Sequence, residues 1–146
     1  MTGWSGAILL LVALVSCGQS QQAAKPDFRV TLSRGGGFTG ITTGYHLTAD
    51  GTLTAWRRSP GQDEQVEWST LRPAADARSL AEALHTATRG WHCEEAGNMT
   101  TRLRFRLGDS VRTWTWSGTS PPTNTPEGVT EWLQAFDGIA RQDTAR

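Results

Sequence analysis

Thr101-Arg102-Leu103-Arg104-Phe105-Arg106-Leu107 alternates apolar and basic side chains, Gly108-Asp109 interrupts the pattern, and Ser110-Val111-Arg112-Thr113-Trp114-Thr115-Trp116 resumes it. Successive side chains of a strand point to opposite faces, so Leu103, Phe105 and Leu107 share one face and Arg102, Arg104 and Arg106 the other. Two such runs about a Gly-Asp turn predict an antiparallel hairpin with one face buried and one in water. The turn length decides where Trp114 and Trp116 go. A turn of two or four residues places them with Leu103 and Phe105 in a core. A turn of three places them beside the arginines, where guanidinium groups stacked on indoles would build a ligand face.

The same period opens the domain. Phe28, Val30 and Leu32 alternate with Arg29, Thr31 and Ser33, and the strand is expected to end in the glycines of Arg34-Gly35-Gly36-Gly37-Phe38-Thr39-Gly40-Ile41, too flexible for regular structure. Tyr45 to Thr48 and Thr52 to Trp56 flank Ala49-Asp50-Gly51. A loop with Gly51 in a left-handed bulge opposes Leu47 to Leu53 and Tyr45 to Ala55, keeping apolar side chains on one face. Arg57 to Asp63 reads as an exposed turn and Gln65 to Ser69 as a shorter strand. Ser79-Leu80-Ala81-Glu82 has the spacing of a capping box. Leu80, Ala83, Leu84 and Ala87 follow at helical spacing, and Gly90 stops the helix. Thr125 as N-cap and Pro126 as first helical residue open a closing helix, with Val129, Trp132, Leu133, Phe136 and Ile139 or Ala140 along one side.

Strands and helices in this order do not alternate as parallel crossovers require. The expected fold class is therefore α+β: an antiparallel sheet of about four to six strands with two helices packed on one face. The length of 146 residues allows one globular domain, expected over residues 27–141, with 142–146 as a tail. Lys plus Arg equals Asp plus Glu at 14 each, so no net field points to nucleic acid, which is not an expected partner. Seven Trp against one Tyr is an unusual balance, and it assigns some of these rings to the core and leaves others for a binding surface.

Ala7 to Val15 is an uncharged apolar run of signal-peptide length, too short to span a bilayer. Leu14-Val15-Ser16-Cys17 after it resembles the bacterial lipobox, although residues 1–6 contain no basic side chain. The resemblance implies a signal peptide over 1–16, cleavage between Ser16 and Cys17, and acylation of Cys17. Two or more acyl chains anchor a protein stably where one does not. Residues 17–26 then form a polar tether, and the expected location is the cell envelope, on a membrane surface outside the cytoplasm. Gly18 in place of Asp implies the outer membrane where a host has one. With Cys17 acylated, Cys93 has no disulfide partner and is expected to be a small buried side chain.

No catalytic residues, metal ligands or cofactor site are expected. The three histidines are scattered, and His92-Cys93-Glu94-Glu95 places ligand types on adjacent residues that point in different directions. Neither a G-x-S-x-G elbow nor a G-K-[ST] phosphate loop occurs. The segment Arg34 to Ile41 resembles the R-x-G-G-F-x-G-[IL] signature of emfourin-like proteins, a family that includes small inhibitors of thermolysin-type metalloproteases. The resemblance implies a binding role for Arg34, Gly36, Gly37, Phe38 and Gly40, against two readings of the loop: direct contact with a partner, or glycines that fix a turn while Phe38 fills the core. The expected function is that of a non-enzymatic, membrane-anchored binding protein, with an envelope or secreted protease as partner. The alternative is a structural or glycan-binding lipoprotein that uses a Trp/Arg surface.

Overall fold

The computed structural model describes residues 26–145. The expected signal peptide and the whole tether except Pro26 lie outside the described residues, as do Ser16 and Cys17. From the first strand onward the order is β1 (Phe28–Gly36), β2 (Thr42–Thr48), β3 (Thr52–Arg58), β4 (Gln65–Leu71), α1 (Ala74–Ala87), β5 (Met99–Leu107), β6 (Ser110–Ser117) and α2 (Glu127–Thr144). The strands form one six-stranded sheet in the order β4-β3-β2-β1-β5-β6, with every neighbouring pair antiparallel. The fold is α+β, as the element order requires.

Parity along each strand sorts the side chains. Phe28, Val30, Leu32, Leu47, Leu53, Leu103 and Phe105 are buried in one cluster with Ala77, Ala81 and Leu84 of α1 and Val129, Trp132, Leu133 and Phe136 of α2. Both helices therefore cover the same sheet face. Burying a Leu or Phe contributes about 1.5–3 kcal/mol, whereas exposed charged neighbours act on the order of 1 kcal/mol or less. Register is set by the apolar side, and the arginines follow.

The β5–β6 hairpin has a two-residue turn, since Leu107 pairs with Ser110, Leu103 with Trp114 and Thr101 with Trp116. Trp114 and Trp116 are accordingly buried, stacked or tilted against Trp91, and the Trp114 indole donates to the Trp91 carbonyl at 2.8 Å. Trp114 and Trp116 are thus in the core, on the opposite face from Arg102, Arg104 and Arg106. The first hairpin has the expected pairs, Tyr45 with Ala55 and Leu47 with Leu53. Gly51 sits at φ +94°, and a side chain there would collide with the Arg72 carbonyl.

Four boundaries differ from the sequence reading. β1 continues through Arg34, Gly35 and Gly36, because these residues pair with Thr43 and Thr42 of β2 on one side and with Thr101, Thr100 and Met99 on the other. A central position in the sheet overrides the entropic cost of the glycines. Helix α1 starts at Ala74, five residues before the expected capping box, and Ser79 donates back to the Ala75 carbonyl at 3.1 Å from inside the helix. The Pro73 carbonyl receives Asp76 N–H and Ala77 N–H instead. In the same way Pro126, not Thr125, stands at the N-cap of α2, with its carbonyl accepting from Val129 and Thr130. Finally, residues 142–144, read as tail, continue α2. Asp143 is held at 3.0 Å by Arg72, which ties this last turn to the end of β4.

Among the described residues no helix is long and apolar enough to cross a membrane.

The turn between β2 and β3 makes stability depend on acid. The Asp50 carboxylate accepts from the Thr48 hydroxyl at 2.6 Å, the Thr52 amide at 3.1 Å and the Thr52 hydroxyl at 2.9 Å. These bonds, the Thr48 hydroxyl foremost, favour the ionised form and lower its pKa to about 2. A carboxylate whose pKa is depressed by folding stabilises the fold above its unfolded value of roughly 4 and loses that contribution as pH falls through the folded value. Wild-type melting temperature is therefore expected to drop more between pH 4 and pH 2 than that of Asp50→Asn. Parallel curves for the two proteins would refute this.

Candidate functional site

The glycine segment lies at one end of the sheet, between β1 and β2, and its conformation is over-determined by its neighbours. Gly36 (φ +108°) and Gly37 (φ +68°) take positive φ where β1 leaves the sheet. A side chain on Gly36 would collide with the Asn98 carbonyl, and that carbonyl accepts from Gly37 N–H at 2.6 Å. Only glycine meets both conditions, a positive φ and backbone against backbone. The turn closes with Gly40 N–H on the Gly37 carbonyl at 3.3 Å, and Gly40 itself lies against the Pro60 ring, which leaves 2.9 Å for a Cβ. Asn98 precedes β5 and Pro60 follows β3, so three connections meet at this end.

Phe38 stands at the tip of the turn. It is fully exposed, at 107% of the reference accessibility. The reading in which Phe38 fills the core is thereby overturned: the turn is too short, and too tightly held at Asn98, to fold the ring back under the sheet. A lone exposed Phe costs solvation free energy that a buried one returns, of the order of 1.5–3 kcal/mol.

Arg34 behaves differently from the other four residues of the segment. It has the parity of Leu32, so its side chain points to the helical face, where Nη2 donates to Asp137 of α2 at 3.1 Å. Arg34 joins the end of β1 to α2 and is engaged within the fold. The structure thus divides the expected binding set: Arg34 braces, Gly36, Gly37 and Gly40 shape the turn, and Phe38 alone projects a side chain into solvent. The earlier end assigned to β1 concealed the parity of Arg34.

The other chemistry-bearing residues do not converge. His46 lies on the helix-free face between the Thr31 hydroxyl (2.9 Å) and the Glu64 carboxylate (3.0 Å), and its ring stacks on Trp56 with centroids 5.2 Å apart. His85 is on α1 and meets Arg112 at 2.9 Å. His92 and Glu94 are exposed while Cys93 between them is buried, the divergence expected of adjacent residues. No group of three or more His, Cys, Asp or Glu able to hold a metal ion occurs among the described residues.

Comparison with protein-family models and with curated proteins found no match to this chain.

The Cys93 thiol donates to the Thr115 carbonyl at 3.1 Å beside β6, and burial pushes its pKa up, away from the nucleophilic thiolate. In a Cys17→Ser background at pH 8, iodoacetamide is expected to modify Cys93 only after denaturation. Equal rates in folded and unfolded protein, read by mass spectrometry, would show an accessible thiolate instead.

Proposed function

We propose that the protein is a lipid-anchored cell-envelope protein whose domain binds a protein partner through the Phe38 turn and performs no catalysis. In its most specific form, the partner is a thermolysin-type metalloprotease and the protein its inhibitor. One observation carries the reading: a fully exposed Phe at the tip of a turn whose backbone is bonded to Asn98 and flanked by Pro60.

The physics favours recognition. Interfaces concentrate their binding energy in a few aromatic side chains that enter pockets on the partner, and a large apolar ring held out into water has most to gain there. Holding the turn in its bound shape beforehand removes part of the ordering cost of association. Thermolysin-type enzymes are the specific partner because the R-x-G-G-F-x-G-[IL] spacing resembles that of the emfourin-like family. Lipid on Cys17 would keep the turn outside the cytoplasm, where secreted or envelope proteases are met, and the polar stretch before Pro26 would let the domain reach them.

Two measurements test the separate parts. The full-length chain is expected to inhibit a thermolysin-type protease at micromolar concentration or below, and Phe38→Ala to weaken inhibition by roughly 30-fold or more, the effect of losing about 2 kcal/mol at a hot spot. No inhibition by the wild type removes the protease as partner, and equal potency of Phe38→Ala removes the turn. Metabolic labelling with a palmitate analogue should mark the wild type and spare Cys17→Ser. An unlabelled wild type would end the anchoring part of the proposal and leave the binding part standing.

A further inference from the structure

We propose that the helix-free face of the sheet carries a second, independent binding site, a groove for a ligand bearing two or more phosphate groups. The chain is electrically balanced, yet this face is not. A groove of about 460 Å³ runs along β1, whose small side chains Thr31 and Ser33 make its floor. Arg102, Arg104 and Arg106 of β5 wall it on one side, and Arg58 stands opposite, beyond His46 and Trp56. Arg29 completes five arginines around one depression.

Among the described residues most of these charges are uncompensated. Glu64 is the groove's only carboxylate, and it is taken by His46 at 3.0 Å. Asp27, near the entrance to β1, holds Arg106 at 3.0 Å. Among the described residues Arg29, Arg102 and Arg104 have no ion-pair partner, and Arg58 lies over the Trp56 ring at 5.9 Å. Arg29 pairs directly with Arg106 across β1 and β5, an arrangement in which like charges destabilise the sheet. The buried indole N–H of Trp56, in the groove wall, also lacks a partner. An arrangement that repels itself when empty is relieved by an anion that bridges it.

The residue type narrows the anion. Lys25 is the sole lysine of the sequence, and every cation of the groove is a guanidinium. Guanidinium presents a rigid fork of donors that matches phosphate oxygens two at a time and is less strongly hydrated than ammonium. Arginines at alternate positions of one strand stand about 6.6–6.8 Å apart along it. The long side chains of neighbouring arginines can converge from that spacing on one compact chain of phosphates, and the Ser33 hydroxyl offers a further donor from below. A single carboxylate brings too little charge to bridge both walls.

Calorimetric titration of the full-length Cys17→Ser chain, which has no acyl attachment point, with inorganic tripolyphosphate tests the site. Binding is expected, weakened about tenfold or more by Arg102→Gln/Arg104→Gln, as loss of charge-assisted hydrogen bonds requires. Arg141→Gln, on the exposed side of α2, should leave it unchanged. Both groove positions are exposed, so the double variant should melt with the wild type; if it does not, Arg29→Gln on the facing strand replaces it. Cardiolipin vesicles, whose headgroup carries two phosphates, compared with phosphatidylcholine, identify the source. Sedimentation of the Cys17→Ser chain, but not of its Arg102→Gln/Arg104→Gln variant, with the former and not the latter assigns a lipid headgroup, and binding of tripolyphosphate alone assigns a soluble phosphorylated ligand. Absence of tripolyphosphate binding, equal weakening by Arg141→Gln, or equally tight binding of citrate overturns the proposal. Phe38→Ala is expected to bind tripolyphosphate normally, so this site and the Phe38 turn fail or stand separately.

Discussion

The pairing of β1 with β5, from Phe28 against Leu107 to Gly36 against Met99, joins two otherwise local pieces of chain. β1 to β4 follow one another as neighbours in the sheet, and β5 and β6 form a hairpin. Within the sheet, only the β1–β5 seam pairs strands far apart in sequence, with β2 to β4 and α1 between them. Closing a loop of roughly 60 residues costs on the order of 4 kcal/mol in chain entropy. Phe28, Val30, Leu32, Leu103 and Phe105 are all buried along the seam, and at about 1.5–3 kcal/mol each they more than offset it. The glycine turn is at one end of this seam and the arginine wall lies along its outer side, so both depend on the same pairing.

The two faces use charge in opposite ways. On the helical face two ion pairs, Arg34 with Asp137 and Arg72 with Asp143, join the sheet to the second half of α2. The Asp143 side chain is 8% exposed. A carboxylate that buried is destabilising without its partner, so the pair fixes the last turn of α2 more through the cost of breaking it than through its net attraction. The Trp132 indole adds a neutral tie to the Leu80 carbonyl of α1 at 2.8 Å. On the outer face the arginines outnumber the carboxylates, and their hydrocarbon stems rather than their charges complete the surface. The exposed edge of β6 is covered by the chain around Cys93 to Glu95, which exchanges backbone hydrogen bonds with Thr115.

What the sequence made legible follows its periodicity. The fold class, both hairpins and the apolar side of α2 could be read from alternation, helical spacing and the turn residues, because burial of those side chains is the dominant energy and leaves a regular trace. The ends of elements could not be read as well. Ser79 and Glu82 have the chemistry of a cap, but α1 extends upstream through Ala74 to Arg78, where three alanines and Arg78 are good helix formers and Asp76 suits the first turn. Arg34 to Gly36 looked like loop because glycine is a poor strand former, and only the flanking strands β2 and β5 reveal that their backbone groups are paired. That error also hid the role of Arg34, whose direction follows from simple parity with Leu32 once the strand is extended. The exposure of Phe38 left no trace of its own, since an aromatic side chain beside glycines has the same composition whether it turns inward or outward.

The two candidate sites are contiguous. A shallow depression continues from Ser33, Arg58 and Arg102, which line the groove, to Gly36 and Asn98, which hold the turn. Any partner that seats Phe38 in a pocket brings its own surface over this end of the sheet, and within a Debye length of about 8–10 Å it experiences the arginines as a field. Such a field chooses among partners mainly through encounter rate and through exclusion of basic surfaces, while the buried ring supplies most of the affinity. The exposed ring and the arginine groove are therefore neighbours at one end of the molecule. The separation of Arg34 from Phe38 follows the same division. Within one short motif, the arginine turns inward to fix the frame on α2 and the phenylalanine turns outward from it, so that a rigid base would lower the ordering cost of any association made through the exposed tip.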